Sequence, residues 1–505
     1  MTATRRPRRM LDGLAVAVLA AVLGYGVWRL LRFVPFALRY PYELDYGEGI
    51  VLQQMRNMVA GTGYAPLGVY PGIVYHYPPV YHLTTAALAW GGGLDDLAAG
   101  RAVALLATLG MAVLTGGLTA TVLRGVATWR VRATCGVLAA LILTNFSAIL
   151  LWSMLMRVDM LATALDLAGL ALAIRALTRP RWIYAAALAF ALALYTKQTM
   201  IAAPAATFAV LLVLRPGLAG RGIATMAVLG LGALAVIEQR TAGGFLHHIL
   251  LYNINRFDVT RLAYVWGMLL SNLGFIAAAL VGVGATVRRW ERATWRSDDP
   301  VRAAAVILLA WLTITTLMLG LLTKVGSNEN YFIEWLCGIA VFAGVGLRPL
   351  VASAWGDPDA GPVSPILWVL AIAVMPFQSR TRSDWNNDRP ALAVQERQFN
   401  AAVPLIRASA KPVIADPMTL LIRAGRPVEW EPAIAAELAH TGVYDEAAFV
   451  RMIRARRFGF FLLQGDAGQA LYRQRYNPAV GAAIDAAYPV KRRIGELTLH
   501  LPPAG

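Results

Sequence analysis

Eleven apolar stretches constrain this chain more than any other feature. They cover approximately 11–34, 100–123, 133–152, 155–174, 182–197, 199–214, 222–239, 263–287, 303–323, 331–347 and 363–378. About twenty apolar residues cross the hydrocarbon core of a bilayer as one helix. Inside hydrocarbon a backbone must satisfy its own polar groups, so these runs predict helices rather than open strands. A soluble chain would carry about 25% charged residues. This one has 15% charged and 58% hydrophobic residues over its 505 positions. So apolar a composition excludes a disordered chain. The net charge of +17 invites a nucleic-acid reading. The basic residues lie between the hydrophobic runs, however, so membrane lipid is the expected partner and nucleic acid is not. Cys135 and Cys337 both fall inside apolar runs, which offers no disulfide framework.

Charge sets the expected topology, because cytoplasmic loops of membrane proteins are enriched in Lys and Arg. The segment Arg5-Arg6-Pro7-Arg8-Arg9 starts the chain inside as an uncleaved signal anchor. Residues 79–92 are apolar but short. If they lie flat in the interface, all the arginine-bearing turns fall on the cytoplasmic side: Arg124/Arg130/Arg132, Arg175/Arg179/Arg181, Arg215/Arg221, the run Arg288–Arg302, and Arg348. The expected fold is then an all-α polytopic membrane protein of about eleven transmembrane helices plus interfacial helices. It carries a small C-terminal α/β domain on the outer face of a bacterial inner membrane. Residues 1–378 form the membrane domain and 379–505 the periplasmic domain, and Gly356–Pro365 is a turn-rich linker ahead of the last apolar run. Within the tail, Pro412–Asp416 and Phe458–Leu463 read as short buried strands. Asp445–Arg457 reads as a helix with Asp445 as N-cap.

With this topology one surface collects the unusual polar residues. Glu43, Asp45 and Glu48 lie in the first outer loop, ahead of a helix predicted over Gly49–Ala60. Three crowded carboxylates suit a general base or a set of metal ligands, and repulsion among them raises their pKa values. The same loop is equally a solvated acidic turn. His76, Tyr77 and His82 follow, with Tyr64, Tyr70, Tyr75 and Tyr81 forming an interfacial aromatic belt. Arg157 and Asp159 open the fourth run, and Lys197 and Gln198 close the fifth. Lys324, Asn328, Asn330, Tyr331 and Glu334 join the ninth and tenth. Asp166 lies about 10 Å deeper than Asp159 on the same helix face and reads as an interhelical hydrogen-bonding group. Lysines at span ends either snorkel to the interface or hold phosphate. A charge in a membrane helix costs about 2.5–3.5 kcal/mol at its centre, so such a gathering implies a wet functional cavity.

In this order the motifs resemble the membrane glycosyltransferases of the GT-C fold class. The nearest pattern is the branch of protein O-mannosyltransferases and the lipid A aminoarabinose transferase. It has an acidic motif after the first span (Leu44–Glu48), a Pro motif before an interfacial helix (Tyr77-Pro78-Pro79), and Gly100-Arg101. Then come Arg157 with Asp159, Thr196-Lys197, and Asn330-Tyr331 with Glu334. The adjacent Asp-Glu pair common in the family is Gly47-Glu48 here, with Asp45 displaced by two positions. The Lys of the Lys-Pro pair of the aminoarabinose branch is Tyr77.

The resemblance implies inverting transfer of a sugar from a polyprenyl-phosphate-linked donor to an acceptor hydroxyl. Asp45 or Glu48 would be the base, with Asp159 orienting the acceptor or that base. Arg157, Lys197 and Lys324 would hold the donor phosphate. Glu43, His76, Tyr77, Gln198, Asn328, Asn330, Tyr331 and Glu334 would line the substrate site. The acceptor is a lipid, a polysaccharide or a protein, and a divalent metal is left open. A transporter with an outward-facing polar cavity is the rival from another class, but the charges gather on one face and no inverted repeat is visible. A non-catalytic envelope scaffold explains the tail and not the clustered charges.

Overall fold

The computed structural model describes residues 5–253, 257–289, 299–324, 326–357, 360, 362–380 and 385–503. Each of the eleven apolar runs falls on helix. Four helical stretches are long and apolar enough to cross a membrane alone: Arg8–Arg39, Asp96–Val122, Pro216–Arg240 and Pro300–Thr323. Val259–Ser271 with Leu273–Val287 passes the same test as a pair bent by 73°, and Glu329–Gly346 with Arg348–Trp355 as a pair bent by 41°. Shorter apolar helices, Trp182–Leu194 and Ala202–Leu214, pack between them. Caps define several ends. Asp95 accepts from the Leu97 amide at 3.1 Å, and Asp299 caps Pro300–Met318 from the position before a helix-starting proline. Small residues allow close helix approach: a methyl on Gly116 or Gly136 would strike the other's carbonyl. Part of the Arg288–Arg302 run and part of the Gly356–Pro365 turn lie outside the described residues.

The helices alternate in direction, so their ends segregate. One end bears Arg124, Arg175, Arg215, Arg288 and Arg348, and the other bears Arg101, Arg157, Lys197, Arg261 and Lys324. At this second end sit two short helices, Glu48–Val59 and Val80–Gly92. The latter has 13 residues, which reaches only about 20 Å. It packs on Glu48–Val59 and on Asp96–Val122.

The tail begins with the helix Trp385–Ala408 and builds a four-stranded sheet of β1 (Ile414–Ala415), β2 (Phe461–Gln464), β3 (Val490–Ile494) and β4 (Leu497–Leu501), in the order β1-β2-β4-β3. β1 and β2 are parallel; β4 is antiparallel to β2 and β3. Both predicted strands and the predicted helix are present, the helix as Glu446–Arg454 with Asp445 accepting from the Ala448 amide at 2.8 Å. The β3–β4 hairpin was not expected. Its outer strand carries Lys491, Arg492 and Arg493, all exposed, the charged edge that protects a sheet from pairing further.

The tail is not packed on its own residues alone. Its apolar core takes in Tyr70 and Val74 from the segment after the first loop. A second cluster joins Tyr40, Tyr42, Val51 and Met55 to Met418, Leu420 and Phe399. Main-chain bonds cross the same boundary, from Gly72 to the Glu429 carbonyl at 2.8 Å and from Asp445 to Gly68 at 2.9 Å.

Candidate functional site

Two carboxylates of the first loop have opposite surroundings. Glu48 is wholly buried and accepts four hydrogen bonds. Arg101 donates to both its oxygens, at 3.0 and 2.8 Å, and the Met156 and Leu44 amides add bonds of 2.7 and 2.6 Å. The remaining Arg101 donors go to the carbonyls of Ala37, Tyr40 and Tyr42. All five Arg101 N–H groups and both Glu48 oxygens are thus bonded within the protein. Gly47 makes the turn between the two carboxylates. Its φ of 107° is left-handed, and a side chain there would collide with the Arg157 guanidinium.

Asp45 faces a cavity of about 900 Å³ between the membrane helices and the tail. Its carboxylate makes no hydrogen bond to the described residues. Burial pushes its pKa above the usual carboxylate range; Arg157 and Arg475 oppose this, while Glu48 and Asp159 reinforce it. The cavity also takes in Arg157, Lys197, Lys324, His76, Tyr77, Gln198, Asn328, Asn330 and Tyr331. Arg157 donates to the Tyr46 carbonyl at 3.4 Å. Lys324 donates to the Asn253 carbonyl at 2.5 Å, and Asn253 and Gln198 both donate to the His76 carbonyl. Burial, reinforced by His248, Lys324 and Arg157, pushes His76 down to about 3, so its ring is neutral at ordinary pH.

Lys197 is held from behind by Asp159. The ammonium lies 2.7 Å from the Asp159 carboxylate and 4.7 Å from the centre of the Tyr331 ring. Asn330 donates to the same carboxylate oxygen at 2.8 Å. Asp159 is itself almost wholly buried and does not line the cavity. Glu334 lies outside the main cavity too. It lines a small neighbouring pocket with Lys197, Asn330 and Tyr331, and it accepts from Trp311 Nε1 at 2.6 Å. Asp166 lies against Glu334 across the helix interface.

The far wall belongs to the tail. Glu431, Glu437, His440, Arg473, Arg475 and Asn477 line the cavity from that side. The tail also clasps Glu43: the Thr419 amide donates to its carboxylate at 3.2 Å, and its own amide donates to the Thr419 hydroxyl. Burial pushes Glu43 up to about 8, and it does not line the cavity. Gly49 lets this tail segment come close, since a side chain there would meet Met418 and the Thr419 amide.

The structure therefore brings Asp45, the three predicted cations and six of the eight predicted lining residues to one cavity. It leaves Glu48, Glu43, Asp159 and Glu334 off its walls. Arg261 and the tail residues were not singled out from the sequence. Arg261 donates to Ser327 and to the Leu322 carbonyl and carried a usable signal: a charge at the very start of an apolar run. The tail residues carried none, since their neighbours in space are hundreds of positions away. Among the described residues no three His, Cys, Asp or Glu side chains gather to hold a metal.

No family model and no curated protein matches the sequence. Solved structures do match in shape. The ArnT of Cupriavidus metallidurans in the apo state superposes with a TM-score of 0.60 at 15% identity, covering 95% of this chain and 98% of that one. The same protein bound to undecaprenyl phosphate gives 0.58 at 14% identity, covering 94% and 97%. The oligosaccharyltransferase of Archaeoglobus fulgidus gives 0.51 at 10% identity, covering 87% and 69%. The fold is therefore that of the GT-C glycosyltransferases, as the motifs predicted: a polytopic helical membrane domain with a small α/β tail.

Proposed function

We propose that this protein is an integral-membrane glycosyltransferase that moves a sugar from a polyprenyl-phosphate-linked donor to an acceptor hydroxyl, with inversion. The observation that carries the reading is a cavity on which Asp45, whose carboxylate makes no hydrogen bond to the described residues, meets three cations, Arg157, Lys197 and Lys324. Asp45 takes the acceptor proton as the hydroxyl oxygen attacks the anomeric carbon. The bond from that carbon to the phosphate oxygen breaks, and the polyprenyl phosphate leaves with both electrons. Positive charge spreads over the ring carbon and oxygen in the transition state, as in other glycosyl transfers. Arg157 and Lys197 receive the charge growing on the leaving phosphate, which lowers the barrier because they are already in place. Lys324 holds the phosphate from the opposite loop.

Asp159 acts as a positioning residue: it fixes the Lys197 ammonium and Asn330 together. Tyr77, Gln198, Asn328 and Tyr331 suit hydrogen bonding and stacking on the sugar. The neighbouring apolar helices suit the prenyl chain, and the similar fold of a protein solved with undecaprenyl phosphate supports this donor class. The arginine-rich helix ends are cytoplasmic, so the cavity and tail lie on the outer face of the inner membrane.

The test is a screen of radiolabelled polyprenyl-phosphate sugars with the purified protein in nanodiscs. Donor-dependent release of polyprenyl phosphate, abolished in Asp45→Asn, is the expected result. Neither donor binding nor transfer from any of them would overturn the reading in favour of a transporter.

A further inference from the structure

Arg475 enters the cavity from the tail, yet it is committed on its other side. It is nearly fully buried. Its guanidinium lies 3.1 Å from Asp416 and stacks 4.1 Å from the centre of the Tyr46 ring, beside Asp45. Asp416 cannot drift, because it accepts from the Gln464 amide at 2.7 Å and the Tyr476 hydroxyl at 2.5 Å. Asp416 and Gln464 sit at the carboxyl ends of the parallel strands β1 and β2, the edge of an α/β sheet where functional groups gather. Tyr46 is gripped a second time: its hydroxyl donates to Glu431, whose carboxylate caps the helix Pro432–His440 through the Ala433 and Ile434 amides.

We propose that Arg475 is a positioning residue through which the tail domain sets the Tyr46 turn, and with it Asp45, for transfer. This rests on Asp45 being the base. An arginine suits the task better than a lysine. Its flat fork pairs with Asp416 at its edge while its face lies on Tyr46. The turn is then held between Arg157 on the membrane side and Arg475 on the tail side. Charged groups facing Asp45 are Glu43 and Glu48 on its own segment, Arg157 and Asp159 from the membrane helices, and Arg475.

Two measurements on the full-length protein in nanodiscs test this. In the first, hydrogen exchange of residues 42–50 is compared between the wild type, Arg475→Met and the exposed control Arg451→Met. Exchange at least tenfold faster in Arg475→Met alone is expected; equal exchange in all three overturns the proposal, whatever the identity of the base. In the second, turnover is followed with the labelled polyprenyl-phosphate sugar that works in the screen. Arg475→Met lowers kcat ten- to a hundredfold with the donor KM within twofold. Its acid limb moves to higher pH, because a cation facing Asp45 is gone. Arg475→Lys restores the limb and only part of kcat. The double variant with Asp45→Asn loses no more than Asp45→Asn alone. A raised acceptor KM with unchanged kcat makes Arg475 a binding residue and overturns the proposal, as does a loss of folded protein with normal turnover in the remainder. Full activity of Asp45→Asn instead removes the base assignment while leaving the exchange result to stand.

Discussion

Asp45 and Glu48 lie on one turn, and the chain uses them in opposite ways. Glu48 is locked to Arg101 and two amides with no exposure, while the Asp45 carboxylate, at the cavity wall, makes no hydrogen bond to the described residues. A buried ion pair is tolerated when its geometry satisfies both partners, and it then holds its surroundings in register. The Glu48–Arg101 knot ties the end of the first helix, the first loop, the helix Asp96–Val122 and the Met156 segment to one point. Asp45, three positions earlier, stays outside the knot and lines the cavity. Chemistry and architecture thus share a motif, and residue type alone does not tell which carboxylate does which.

Swapping each carboxylate for its amide separates them. Asp45→Asn should lose about 10²–10⁴-fold in turnover, the span of a general base, with an unchanged melting temperature. Glu48→Gln should do the reverse. It leaves the Arg101 charge buried without its counter-ion, a cost of about 3–5 kcal/mol. Melting curves and single-turnover rates on the same preparations decide it. A stable, inactive Glu48→Gln would erase the contrast.

The buried pair Lys197–Asp159 sharpens the comparison, because it joins the two roles. Lys197→Met strands the Asp159 carboxylate and should destabilise by about 3–5 kcal/mol. Adding Asp159→Asn should recover most of that stability. Transfer should stay down by about 10²-fold or more, since the cation proposed to meet the leaving phosphate is still absent. Recovery of both together would mean that Lys197 is structural, like Arg101. Thermal melting and donor turnover of the single and double variants supply the cycle.

Much of the fold was legible in the sequence because a bilayer imposes a length and a composition that each helix must meet. The arginine-bearing turns were legible for the same reason. The candidate residues were found because charge beside hydrocarbon is expensive and so stands out. What could not be read is partnership. Arg101 is 53 positions from Glu48, and nothing in either neighbourhood says they meet. Arg475 reaches Tyr46 across nearly the whole chain, from a tail whose charges look like ordinary solvated ones. The β3–β4 hairpin was missed because its edge strand breaks the alternation of a half-buried strand with three consecutive basic residues.

The third carboxylate of the turn, Glu43, offers the smallest and most selective probe. It is clasped by Thr419 of the tail, and burial holds its pKa up at about 8 against an ordinary 4.5. A carboxyl with a raised folded-state pKa favours folding below its unfolded value, and that contribution fades as pH rises through the folded one. The stability carried by Glu43 is thus complete below about 4.5 and gone above about 8. Glu43→Gln keeps the clasp and cannot titrate. Between pH 5 and pH 8 the wild type should lose about 2–4 °C more in melting temperature than the variant, a modest figure because the side chain is partly exposed. Parallel curves would mean that Glu43 is ionised in the folded protein at every pH tested. Thr419 would then clasp a charged carboxylate, one more negative charge facing Asp45.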